Sequence, residues 1–233
     1  MSNSIKKIIF AILCWATAVT YAQMQPASSH YMFNPQIDNP AFYGSKDGIN
    51  FGANYRHQWA QLEGQPQTVN IFTDAKINAI HGGLGLNISN DRLGAYNTTS
   101  FKLGYSFIQA LGKNLKLSIG ANIGATFSKL DGSKLITPEG NSGGLNDNYL
   151  SSIMQKSTHP DLTVGIALTH KYITVGINYT NIINLPDKFK GTSQTLKPKY
   201  GSVFQTYISS IIPIAKDFTL RPSLLLSTDF KEF

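Results

Sequence analysis

From Leu115 to Ser128 the chain alternates without a break: Leu115, Leu117, Ile119, Ala121, Ile123, Ala125 and Phe127 interleave with Lys116, Ser118, Gly120, Asn122, Gly124, Thr126 and Ser128. A period of two belongs to a β-strand with one apolar and one polar face. A run of about 14 residues is long for a globular strand, which usually has about five or six. It suits a tilted membrane strand, which needs roughly 9–11 residues in hydrocarbon plus projecting ends.

Similar runs recur along the chain. Ile49–Tyr55, Thr68–Thr73, Gly83–Ser89, Ser100–Leu111, Leu162–Thr169 and Ile173–Thr180 read as further strands, the last two with apolar residues at every second position. Val203–Ile214 alternates poorly and holds Pro213, and Phe218–Ser227 holds Pro222, tolerable only where its missing N–H is not needed. This predicts about nine strands and no helix beyond the amino terminus. The connections predict a polarity: Gly112–Asn114, His170–Lys171 and Ala215–Asp217 are tight, whereas Gln58–Gln67, Asn90–Thr99, Lys129–Pro160 and Asn181–Lys199 are longer, with Asp74–Gly82 intermediate. Short periplasmic turns opposite longer outer loops are the pattern of outer-membrane barrels. Asn50, Asn54, Asn70, Asn87, Asn122 and Asn178 fall on the polar faces, which would line a pore or fill a plugged interior.

Composition agrees with this class. Charged residues make up 14% and aromatic residues 11%. The mean hydropathy of −0.12 looks soluble, but only alternate residues of a barrel strand face lipid. Lys6 and Lys7 precede an apolar run from Ile8 to Val19, and Ala22 stands before Gln23, the layout of a cleaved signal peptide. Cys14, the sole cysteine, lies inside it behind Leu13, where a lipoprotein signal wants a small residue, so the exported chain is expected to lack thiols and disulfides. The net charge of +7 reads as a solvated basic surface or an attraction to anionic lipid headgroups, since scattered lysines on an exported chain do not point to nucleic acid.

Four motifs stand in order near the amino terminus: Tyr31-Met32-Phe33-Asn34-Pro35; Asn39-Pro40-Ala41-Phe42-Tyr43-Gly44-Ser45; Tyr55-Arg56-His57-Gln58-Trp59; and Glu63-Gly64-Gln65-Pro66-Gln67. In this order they resemble the start of the PorP/SprF family, outer-membrane proteins of the type IX secretion and gliding machinery of Bacteroidota. Weaker likeness continues through Gly83–Leu86, Asn90–Gly94 and Leu117–Gly120. The resemblance implies an outer-membrane location, a role supporting export or anchoring of surface proteins, and partners among secretion components and large adhesins. It implies no catalytic residue. Family members are longer than this chain, and nine strands is an odd count where bacterial barrels have even ones, so a truncated barrel is expected.

The expected organisation is a signal peptide over 1–22, a turn-rich periplasmic segment over 23–47 and an incomplete transmembrane antiparallel β-barrel over 48–233. The runner-up fold, a secreted β-sandwich, usually has shorter strands. For chemistry the sequence offers little. The histidines at 30, 57, 81, 159 and 170 lack metal-ligand spacing, and His57 with Trp59 suits an interfacial aromatic girdle. Asp131-Gly132-Ser133 and Asn146-Asp147-Asn148 read as turns rather than calcium loops. Gly82-Gly83 precedes no helix and supports no phosphate cradle. No nucleophile elbow accompanies the serines, so neither an enzyme, a cofactor nor a small-molecule substrate is expected. A passive porin is the alternative function. Aromatic density among fixed turns marks Tyr31, Phe33, Pro35, Pro40, Phe42 and Tyr43 as a candidate partner surface, with packing into the base of the barrel as the other reading.

Overall fold

The computed structural model describes residues 31–134, 155–183, 201–216 and 218–229. The proposed signal peptide and the Asn146–Asn148 turn lie outside them. Among the described residues eleven strands form: β1 Ile49–His57, β2 Gln67–Ile77, β3 Gly82–Leu93, β4 Tyr96–Ala110, β5 Leu115–Leu130, β6 Gln155–His170, β7 Ile173–Thr180, β8 Val203–Ser210, β9 Ile212–Ala215, β10 Phe218–Leu220 and β11 Ser223–Thr228. Nine of them make one antiparallel sheet in the order β1 through β8 followed by β11, curled into a half-barrel. Helical structure among the described residues is confined to short 3-10 turns.

The faces are inverted relative to a water-soluble sheet. Along β5, Ile119, Ile123 and Phe127 point out and are exposed, whereas Ser118, Asn122, Thr126 and Ser128 point in and are buried. The same division holds in β3, where Leu84 and Leu86 face out and Asn87 faces in, and in β6, where Ile166 and Leu168 face out and Thr163 faces in. A continuous apolar outer belt is costly in water and favourable in hydrocarbon, where every backbone polar group must be paired within the sheet. The alternation of the sequence therefore gives a membrane-facing outside and a polar inside.

Several strands run further than their alternation suggests. β2 continues to Ile77 and β3 to Leu93, because ladder hydrogen bonds persist beyond the apolar belt. As a result the expected long Asn90–Thr99 connection is a two-residue turn at Gly94 and Ala95, with Gly94 at φ +56. β6 begins at Gln155 and passes through Pro160, which pairs with Ala125 of β5. β7 pairs only with Val164–Thr169, so among the described residues Pro160 has a ladder neighbour on one side only, the position where a missing N–H is tolerated.

The two expected carboxyl-terminal strands each break once. Val203–Ile214 divides into β8 and β9, and Phe218–Ser227 into β10 and β11, with β9 and β10 forming their own two-stranded ladder. The break falls where Pro222 interrupts one arm, and its carbonyl accepts from the Ser210 N–H at 3.0 Å. The two arms are thus interrupted at one level of the hairpin.

Candidate functional site

Pro fixes its own φ and pushes the preceding residue away from helix. The two Asn-Pro dipeptides accordingly start two 3-10 turns, Pro35–Ile37 and Pro40–Phe42. The Asn39 side chain caps the second, accepting from the Ala41 N–H at 2.9 Å. These turns hold residues 31–45 as a strap lying across the concave face of the sheet.

The strap touches successive strands. Tyr31 donates its hydroxyl to the Ser223 carbonyl on β11 at 3.1 Å and packs edge-on against Tyr207 of β8, ring centres 6.0 Å apart. Phe42 meets the same Tyr207 ring edge-on at 5.7 Å. The Asn39 amide donates to the Ile177 carbonyl of β7 at 3.2 Å and the Ile166 carbonyl of β6 at 3.4 Å. Asn178 donates to the Asp38 carbonyl at 3.2 Å and Asn87 to the Ile37 carbonyl at 3.3 Å. At the far end, Ser106 of β4 donates to the Tyr43 carbonyl, and the Gly44 N–H donates to the Asp74 carboxylate of β2 at 2.9 Å.

Glycines make room for it. A Cβ on Gly120 would stand 2.4 Å from the Pro40 carbonyl carbon, and one on Gly83 would stand 2.4 Å from the Gly44 nitrogen. Gly85 lies beneath the Tyr43 ring, Gly165 beneath Asn39 and Gly176 beneath Phe42. Gly83, Ser106, Gly120 and Gly165 are directly paired neighbours on β3 to β6. Together they form a trench of small residues cut across the strands.

The six candidate partner residues divide along the strap. Phe33 is 63% exposed, and Tyr31 and Pro35 are half-buried. Pro40, Phe42 and Tyr43 are buried between the strap and the sheet. Ala41, Phe42, Ala167 and Tyr207, joined by Tyr31 and Leu225, form the apolar cluster of the interior.

The remaining interior is polar. Lys102 pairs with Asp161 at 3.0 Å, and the Thr126 hydroxyl lies within hydrogen-bond distance of both the same carboxylate, at 3.5 Å, and the Ser100 hydroxyl, at 3.2 Å. Burial pushes the Asp38 carboxyl on the strap up to about 6, although it retains partial accessibility, while the Lys102 ammonium pulls it the other way. Burial likewise pushes the Tyr43 phenol up to about 12, with the neighbouring Asn122 amide opposing and the Asp74 and Asp38 carboxylates adding to the rise. Among the described residues no three His, Cys, Asp or Glu side chains gather as a metal site. His57 lies at the end of β1, and His81 takes a left-handed φ of 52 in the turn after β2. An interior of this kind can hold a segment in place.

With the strap and its inverted sheet in view, the family comparison is direct: the family model described as "Type IX secretion system membrane protein PorP/SprF" matches residues 20–232. The chain belongs to the PorP/SprF family. As a PorP/SprF protein it is a membrane component of the type IX secretion system, in a family not known for enzymes. No curated protein matches it. The resemblance carried by the four amino-terminal motifs is therefore correct, and two of those motifs build the strap itself.

Sequence reasoning placed the Asn-Pro turns but not their seat. The signal was present: Gly83, Gly85, Gly104, Gly120, Gly165 and Gly176 all stand at inward positions of their strands. Glycine weakens a strand interior unless a backbone approaches closely there, so inward glycines on five consecutive strands point to something lying over them.

Proposed function

We propose that this PorP/SprF protein is a non-catalytic outer-membrane component that supports export or anchoring of surface proteins, delivered to that membrane by a signal peptide over 1–22. The supporting observation is the occupied interior. The polar face that a passive porin would offer to solutes is covered by the strap from β2 to β11.

The partner surface follows from how the strap divides. Pro40, Phe42 and Tyr43 anchor it, and Tyr31, Phe33 and Pro35 remain accessible in whole or in part for other secretion components or for secreted adhesins. Exposed aromatic side chains on a fixed backbone are effective binding anchors, because little conformational freedom is lost on contact.

Two experiments test this reading. Deleting the gene and quantifying surface and medium proteins by mass spectrometry is expected to show selective loss of large surface proteins; an unchanged set together with altered uptake of small solutes would make the protein a porin. In Phe33→Ala and Phe42→Ala variants, normal assembly accompanied by normal capture of secretion partners would remove the partner-surface assignment.

A further inference from the structure

The outer face of the half-barrel carries a row of cations that have no ion-pair partner among the described residues. The register places Arg92 of β3 opposite Asn97 of β4, Asn97 opposite Lys129 of β5, and Lys129 opposite Lys156 of β6. The row continues through Gln67 to His57 on β2 and β1. Arg92, Lys129 and Lys156 are all exposed, and they share the outward parity of the apolar belt, two residues beyond Asn90, Phe127 and Thr158. Among the described residues, the two acids that stand nearest to the row in sequence are engaged elsewhere. Asp91 points inward and accepts from Thr68 at 2.8 Å, and Asp131 is paired with Lys134 at 3.8 Å.

Directly opposed like charges destabilise a sheet, yet Lys129 and Lys156 are paired across neighbouring strands about 4.8 Å apart. Arg92 lies two strands beyond Lys129, about 10 Å away by the same spacing. Two residues of strand, about 7 Å, separate this row from the apolar belt at Phe127. That is the depth at which lipid headgroups meet acyl chains, and lysine and arginine stems can lie along the belt while their charges reach the headgroups.

The row stands at the end of the sheet that carries the 58–66 connection and the links after β5 and β7, which is the outward end in a barrel with short periplasmic turns. We propose that Arg92, Lys129 and Lys156 form a binding row for phosphate-bearing lipid headgroups of the outer leaflet, with one phosphate bridging the two lysines and so removing their repulsion. This rests on the reading of the chain as an outer-membrane barrel protein.

The test uses the full-length protein purified in neutral detergent, offered phosphatidylglycerol and phosphatidylcholine together, with retained lipid counted by native mass spectrometry. The wild type should retain phosphatidylglycerol preferentially. A basic residue near an anionic surface contributes about fivefold in affinity, so Lys129→Gln/Lys156→Gln should lower that preference roughly 25-fold, and Arg92→Gln by a smaller factor. Lys113→Gln/Lys171→Gln, at the opposite end of the sheet, should leave it unchanged. The lysine variants lose a repulsion rather than a contact, so their folding, read by heat-dependent gel mobility, should match the wild type. Equal retention by wild type and double variant would overturn the proposal, as would complete displacement of the lipid by inorganic phosphate at matched concentration. Release of the wild-type chain from membranes by alkaline carbonate would instead overturn the membrane reading beneath it.

Discussion

Replacing Gly120 by Ala tests whether the strap is seated as closely as described. The added Cβ would meet the Pro40 carbonyl carbon at 2.4 Å and the Ala41 nitrogen at 2.5 Å, which are backbone atoms that cannot rotate aside. Restoring ordinary contact requires the strap to rise by about 1 Å, since carbon atoms pack optimally at about 3.5–4.0 Å. The hydrogen bond from Asn39 to Ile177, 3.2 Å long in place, would then exceed normal geometry. Overpacking costs about 1–3 kcal/mol, and a lost hydrogen bond about 1 kcal/mol. At about 1.4 kcal/mol per factor of ten, the strap should open roughly ten- to a thousandfold more often. Native-state hydrogen exchange reads this at Ala41, Phe42, Tyr43 and Gly44, whose N–H groups are all bonded in the seated strap. Gly112→Ala is the control, because a Cβ there meets nothing within 4 Å. Faster exchange confined to the strap in the first variant and absent in the second is expected. Unchanged exchange at all four amides in a correctly folded Gly120→Ala protein would refute the trench.

Three further outcomes follow from the same interior. Asp38 holds its proton more tightly in the seated strap, near pH 6, than at its ordinary value of 3.8, so seating is favoured below about 4 and that contribution is lost as pH rises through 6; exchange at Phe42 should quicken from pH 5 to pH 7 beyond the intrinsic change, and Asp38→Asn should abolish the excess. Lys102→Met leaves the buried Asp161 carboxylate without its ion-pair partner and should cost about 3–5 kcal/mol, seen as a lowered unfolding temperature, whereas Lys102→Met/Asp161→Leu should recover much of the loss. Phe42→Ala empties the contact with Tyr207 and should cost about 3–5 kcal/mol, while Phe33→Ala, at an exposed position, should change the unfolding temperature little.

Much of this fold was legible because alternation is a physical requirement of a strand between lipid and a polar interior. The run from Leu115 to Ser128 lies within β5 and gave its facing without error. Strand ends were less legible, since past the apolar belt a ladder continues on backbone hydrogen bonds that any side chain permits. Hence Asn90–Leu93, which read as loop, extends β3. Pro160 read as loop for a similar reason, its tolerance depending on which neighbour β7 leaves unpaired. Pro213 and Pro222 marked disruption correctly, but where each arm of the hairpin broke depended on its partner. The strap was half legible: its turns are local and follow from Asn-Pro, whereas its seat is assembled from glycines far apart in sequence, each of which alone looks like a weak strand residue.

The strap also sets an order of events. It is made before any strand of the sheet, yet the Asn39 bonds to β6 and β7 span 127 and 138 residues, and the bond from Tyr31 to Ser223 spans 192. Contacts so distant in sequence close late, because chain entropy must be spent before they form. A segment that precedes every strand in the chain is thus the last to settle. Its final bonds exist only once β8 and β11 have paired in register to offer Tyr207 and the Ser223 carbonyl. A chain whose last hairpin had slipped by one residue would turn Tyr207 outward, and the strap would stay loose. A seated strap is thus possible only on a sheet whose last hairpin is paired in this register.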